Sequence, residues 1–353
     1  MNDSFAKRGI NLAKVAYAIV ALFLFVLALQ LMKAGAKDLA PILRDTALIQ
    51  DPIDSMGLGW LGAYFVLSGS PVAAAALSLF NGDAIDAIQA FTMINGSRIG
   101  ASFIVLFVGF IYMLRGHEPK RSLSMGLLSL LTTWTIYIPA LFLGSFFLTH
   151  GTLDKIRISA AAELVSFLDA IFDPIVTWIT SWAHGLLVFA VGVGVIMISF
   201  NLLDRALPEL KLGGTEFDQA PRLLYRPVVM FLLGSAVTTV SMSVSVSLSL
   251  LVPLSARGYV RRENVIPYIM GANITTFVDT LVAAVLMNNP RAFTVVLVEM
   301  ISVAIVSLIV LLTAYRFYER CVLSLVNWIT ANRRNLTLFM LLMVGVPIVL
   351  LLR

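Results

Sequence analysis

Apolar residues in this chain run in blocks long enough to cross a bilayer, and small polar residues break the blocks at matching places in the two halves. Five blocks, 13–32, 123–149, 184–203, 292–315 and 336–352, reach the roughly 17–25 residues a spanning helix needs. Two further blocks, 92–114 and 268–287, carry glycine-containing motifs at their starts and are read as broken spans. Ahead of each lies an apolar segment of awkward length, 58–80 and 227–254, interrupted by Ser, Gly or Pro. These two segments predict re-entrant helical hairpins that enter and leave on one side.

The interruptions recur. The first half carries LSGSP at 67–71 and INGSRIGAS at 94–102; the second carries VSMSVSVS at 240–247 and IMGANITT at 269–276. Gly62 precedes Gly96 by 34 positions, and Gly234 precedes Gly271 by 37. Paired broken hydrophobic segments in two halves of a chain point to a transporter binding site. The predicted fold is an all-α integral membrane protein built from two inverted repeats, 1–150 and 184–318. Each comprises a span, a hairpin, a broken span and another span. An outer interfacial amphipathic segment (151–183) separates them, and a C-terminal transmembrane helix (319–353) follows. Glu163, Asp169, Asp173 and Pro174 keep 158–182 from reading as a full span, and Trp178 and Trp182 suit the membrane interface.

Charge sets the orientation. With the N-terminus inside, the inner segments hold 17 Lys and Arg and the outer segments 7, with Arg98 left inside the membrane. That bias fits a multi-pass protein of the cytoplasmic membrane with a cytoplasmic N-terminus. The loop after the first hairpin holds Asp83 and Asp86 without a cation, while the loop after the second holds Arg257, Arg261 and Arg262. Opposite charge predicts opposite sides, which makes the repeat inverted. The AGA at 34–36 after a basic N-terminal span resembles a signal-peptide cleavage site, but the apolar run is long and the repeat needs the span.

Composition agrees. Of 353 residues, 59% are hydrophobic and 13% charged, which excludes a soluble globular domain. The net charge of +5 reads as membrane topology and does not predict a nucleic-acid partner. One cysteine, Cys321, rules out an intrachain disulfide, and three scattered histidines predict no transition-metal centre and no cofactor. With no nucleophile–base pair, P-loop or dinucleotide fingerprint, the expectation is a protein that is not an enzyme. Lipid is its first partner; oligomeric state is left open.

Gly, Ser and Thr at helix breaks free backbone groups, which a membrane protein tolerates only when they are buried or line a wet cavity. Freed carbonyls and hydroxyls suit a hard cation such as Na⁺, and half-helix N-termini suit an anion. The candidate ion- and substrate-binding residues are Ser68, Ser70, Arg98, Ser241, Ser243, Ser245, Asn273, Thr275, Thr276 and Asp279, with sodium assigned to Asn273, Thr275 and Thr276. Each has a structural alternative: Asp279 can serve as the counter-ion of Arg98, and the serines can allow close helix packing. Glu299 is a candidate proton, cation or gating group, or a hydrogen-bond acceptor for a nearby Thr or Ser.

The second half, with IPYIMGANITT at 266–276, resembles the type II sodium/phosphate cotransporter family, whose repeats carry Gln-Ser-Ser-Ser followed by GANIGT. The resemblance covers about 58–114 and 232–286. It implies a secondary active transporter with sodium as coupling ion and phosphate as the small inorganic anion taken up. Neither hairpin carries the family's Gln; Leu67 and Val240 stand nearby. Thr275 replaces the second Gly, and Arg98 replaces the Asn in the first copy. Two alternatives stay open: a sodium- or proton-coupled symporter for another small anion, and a non-transporting relative acting as membrane sensor or assembly partner.

Overall fold

The computed structural model describes residues 12–45, 49–107, 119–156, 158–206, 226–242, 244–249 and 262–353. The described residues are helical and without strands, and seven helices are long and apolar enough to cross a membrane. The chain is therefore an all-α protein of multi-pass membrane type. In order, the helices are α1 (Leu12–Asp45), α2 (Pro52–Val66), α3 (Gly69–Asn81), α4 (Ala87–Ala101), α5 (Pro119–Thr149), α6 (Ala162–Thr180), α7 (Gly185–Ala206), α8 (Pro227–Ser241), α9 (Val244–Ser249), α10 (Arg262–Thr275), α11 (Phe277–Leu286), α12 (Pro290–Ile309), α13 (Tyr315–Ala331) and α14 (Arg333–Leu351).

Local chemistry explains the starts. Asp51 caps α2 in a reciprocal box with Asp54, Asp86 caps α4 in the same way with Gln89, and Asn289 caps α12. Proline opens α2, α8 and α12, where its missing N–H costs nothing.

The pair α2–α4 and the pair α8–α10 pack by the same device. A Cβ on Gly59 would overlap the Met93 carbonyl, and one on Gly96 would overlap the Met56 carbonyl. In the second half, Gly234 meets the Tyr268 carbonyl and Gly271 the Phe231 carbonyl in the same way. All four second-half residues follow their counterparts by 175 positions. The first-half partner of Gly234 is therefore Gly59 and not Gly62, and the two intervals become equal at 37. Pattern alone favoured Gly62. Packing selects Gly59, because only there does backbone lie against the missing side chain.

The same offset fixes the turns. Leu67 after α2 (φ 52, ψ 33) and Met242 after α8 (φ 49, ψ 19) are both left-handed. Each segment is thus a helix, a tight reversal and a second helix. Residues 250–254 of the second lie outside the described residues, as do 108–114 and residues 257–261 of the charge cluster.

Elsewhere the helices run longer than the apolar blocks. Helix α1 continues past Ala34–Ala36 and Pro41 to Asp45. It packs antiparallel on α7, with bare Gly35 and Gly192 at the seam and Ser199 donating to the Ala21 carbonyl at 2.7 Å. The motif glycines lie well inside α4 and α10, and do not start those helices. The single C-terminal helix expected over 319–353 is two helices, α13 and α14, and α13 is joined to α12 by a π-helical turn at Val310–Ala314. Helix α6 is amphipathic: Leu168 and Phe172 pack beside Val26, Leu31 and Val188, while Trp178 and Trp182 are exposed.

Candidate functional site

Arg98 is the centre of the site. It lies on α4, 6% exposed, where an unpaired charge would cost at least ~2.5–3.5 kcal/mol. One guanidinium nitrogen, Nη1, donates to Ser70 Oγ at 3.1 Å and to Thr276 Oγ1 at 3.2 Å. The other, Nη2, reaches the Thr276 carbonyl at 3.4 Å, Asp279 Oδ1 at 3.3 Å and Thr280 Oγ1 at 2.5 Å. Thr280 in turn donates to Asp279 Oδ1 at 2.7 Å, and the guanidinium carbon stands 5.1 Å from the centre of the Phe277 ring. Asp279, itself 3% exposed, is the ion-pair partner.

The helix interruption that supplies these partners is slight. Thr276 between α10 and α11 keeps right-handed backbone (φ −61, ψ −21), as does Ser102 after α4 (φ −62, ψ −20). The helices do not unwind, so few carbonyls are released. Those near the motif are already used: Tyr137 Oη donates to the Asn273 carbonyl at 2.9 Å, and Arg98 takes the Thr276 carbonyl. Asn273 Nδ2 donates to Thr133 Oγ1 at 3.1 Å.

A cavity of about 20 Å³ opens among Ser68, Ser70, Arg98, Tyr137, Asn273 and Thr276. One water needs roughly 10–15 Å³ by this measure. The space accommodates a water or a bare cation; a tetrahedral oxyanion requires the surrounding helices to separate. Ser68 caps α3 without a side-chain hydrogen bond, leaving its hydroxyl and the first amides of that helix beside the cavity.

The expected residues divide. Ser68, Ser70, Arg98, Asn273 and Thr276 meet at the cavity, with Asp279 behind Arg98. Thr275 does not line it: its hydroxyl donates to the Ser235 carbonyl at 3.0 Å, toward α8. Its counterpart, Gly100, presses its bare Cα on the Trp60 carbonyl, so the two halves meet one backbone position by different means. Ser241 sits at the end of α8, 3.5 Å from the Thr238 carbonyl, and does not line the cavity. Ser243 and the side chain of Ser245 fall outside the described residues. Among the described residues, no group of three or more His, Cys, Asp or Glu is placed to hold a metal.

Glu299 on α12 is 1% exposed, and its Oε1 accepts from Asn95 Nδ2 at 2.7 Å. The expected Thr or Ser donor is an Asn. Asn95 and Tyr137 are the residues sequence reasoning missed. Asn95 was detectable in principle, since it precedes Arg98 by three on one helix face. Nothing in the pattern around Tyr137 marks its hydroxyl as aimed at the second-half motif.

Family models, curated proteins and solved structures were compared with this chain, and none matches.

Proposed function

We propose that the chain is a secondary active transporter for a small inorganic anion. Its specific form is sodium-coupled phosphate uptake across the cytoplasmic membrane with the N-terminus inside. The two units related by 175 positions are, in this reading, an inverted repeat, and the helix–reversal–helix segments are re-entrant hairpins. One observation carries it: the reversal of the first unit (Ser68, Ser70) and the motif of the second (Asn273, Thr276) line one buried cavity together with Arg98. Backbone and hydroxyl groups converging from two pseudo-equivalent units is the arrangement that transporters use for substrate and coupling ion. The free amides opening α3 and the Arg98 guanidinium are the anion donors. Sodium and phosphate rest on the likeness of IPYIMGANITT to the type II cotransporters.

A second reading, a non-transporting relative, is favoured by the engagement of Arg98. Its cationic head lies where a coupling cation would sit, held by Ser70, Thr276, Asp279 and Thr280.

Radiolabelled phosphate uptake into proteoliposomes, with an imposed Na⁺ gradient against a K⁺ control, separates the readings. Na⁺-dependent accumulation supports the specific form. Competition by sulfate or carboxylates but not phosphate reassigns the substrate. Absence of flux for every anion, with Arg98 substitutions changing stability alone, favours the non-transporting relative.

A further inference from the structure

Apart from the capping Asp54, the buried charged side chains among the described residues are Arg98, Asp279 and Glu299. Asp279 neutralises Arg98, so Glu299 is the group left over. Its Oε1 accepts from Asn95 Nδ2, which also reaches the Tyr137 carbonyl at 3.4 Å. The other oxygen of each partner, Glu299 Oε2 and Asn95 Oδ1, is buried and has no hydrogen-bond partner. With an ionised carboxylate both are acceptors, and two orphaned acceptors in a membrane protein core are costly.

One proton offers a way to remove both defects. A carboxylic acid and a carboxamide pair head to head: Nδ2–H donates to Oε1, and Oε2–H donates to Oδ1. The neutral acid also leaves no unbalanced charge in the core. Among the described side chains, the neighbouring elements offer no second cation. From α4 comes Arg98, already paired; from α11, Asp279. From α5 comes Tyr137, its hydroxyl committed to Asn273. On α10, Tyr268 is committed to Ser247 at 2.9 Å, and α3 carries no ionisable side chain. The basic residues of α5, Lys120 and Arg121, begin the helix about 25 Å of helical rise before Tyr137.

We propose that Glu299 is a proton-binding site, held as the neutral acid against Asn95, and that its proton is released and regained as the two units move. Release is a simple dissociation from Oε2 to water, leaving a carboxylate. Asn95 belongs to the first unit and Glu299 to the second, so losing the proton removes one of two hydrogen bonds that join them. Protonation is thereby tied to the relative position of the units. The coupling part rests on the transporter reading and departs from its sodium-coupled form: the driving ion is a proton, with Arg98 standing permanently in the place of a metal cation.

The test is infrared difference spectroscopy on the purified full chain in lipid, through a pH series. The expected result is a protonated-carboxyl carbonyl band that shifts on deuteration, vanishes in Glu299→Gln, shifts in Asn95→Ala and persists in Asp279→Asn. Glu299→Gln mimics the neutral acid, and its melting temperature should match the parent. No such band, or one that survives Glu299→Gln, overturns the proposal. A parallel uptake assay driven by an inward proton gradient without sodium isolates the transport reading. The band with proton-driven anion accumulation supports both; the band without proton-driven flux of any anion keeps the proton site and sinks the proton coupling, leaving the sodium-gradient assay to decide transport.

Discussion

Leu67 and Met242, 175 positions apart, hold the same left-handed backbone conformation at the same place in two helical reversals. Neither is glycine, and a left-handed residue with a side chain costs roughly 1–2 kcal/mol. Leu67→Gly and Met242→Gly should each raise thermal stability in detergent, by up to about 1 kcal/mol once glycine's greater unfolded-state entropy is subtracted. Leu67→Val, β-branched at positive φ, should lower it. A loss of stability in the glycine variants would mean that the side chains contribute packing worth more than the strain.

The glycine seams allow a sharper comparison. Gly96→Ala and Gly271→Ala place a methyl against the Met56 and Phe231 carbonyls, which belong to backbone and cannot swing aside. Each should destabilise by about 1–3 kcal/mol or more. Gly345→Ala, with nothing within 4 Å, should be neutral or mildly stabilising. Melting curves of the three variants side by side decide whether close helix approach, rather than helix propensity, keeps glycine at these positions.

Arg98 and Asp279 are both deeply buried, so removing one partner strands the other. Arg98→Met or Asp279→Asn alone should cost about 3–5 kcal/mol, and the double variant much less than their sum. Additive losses in the double-mutant cycle would show that the hydroxyls of Ser70, Thr276 and Thr280, not the carboxylate, hold the guanidinium.

Much of this architecture was legible in the pattern of apolar blocks. The seven blocks at spanning length coincide, one for one, with the seven long apolar helices, because length and hydropathy are what a bilayer constrains. Gly59 escaped notice because Gly62 sits in a similar context, and only the Met93 carbonyl distinguishes them. The separation of α13 from α14 was not legible, since the charges of 316–320 hide an amphipathic helix: Arg316 and Arg320 are exposed while Val322, Val326 and Ile329 are buried. At the site, Arg98 and Asp279 were found as candidate partners by scarcity: few charges lie deep in the spans. The direction of the Thr275 hydroxyl was not legible, since a side chain one residue from a cavity-lining neighbour points wherever the helix turn puts it.

The proposed inversion of the two units makes a chemical prediction about sidedness. Gln50, just before α2, and Arg226, just before α8, are both exposed. In a background with Cys321 replaced, Gln50→Cys should react with an impermeant thiol reagent added outside intact cells, and Arg226→Cys only after permeabilisation. Labelling of both from one side would eliminate the inversion and leave the 175-position correspondence as a direct, parallel one.

Arg98 and Asn273 occupy the same station in their respective units. In the proposed inversion, two identical parts would rest with equal ease facing either way, since a half-turn about an axis in the membrane exchanges both the orientations and the parts. One fixed charge in one part ends that degeneracy. The gap between the orientations then equals the difference in how well each solvates a guanidinium, and about 1 kcal/mol already makes the two populations differ roughly fivefold. A transporter of the proposed kind would idle on one side of its cycle, and its turnover would be asymmetric by construction: the return journey starts from the rarer state.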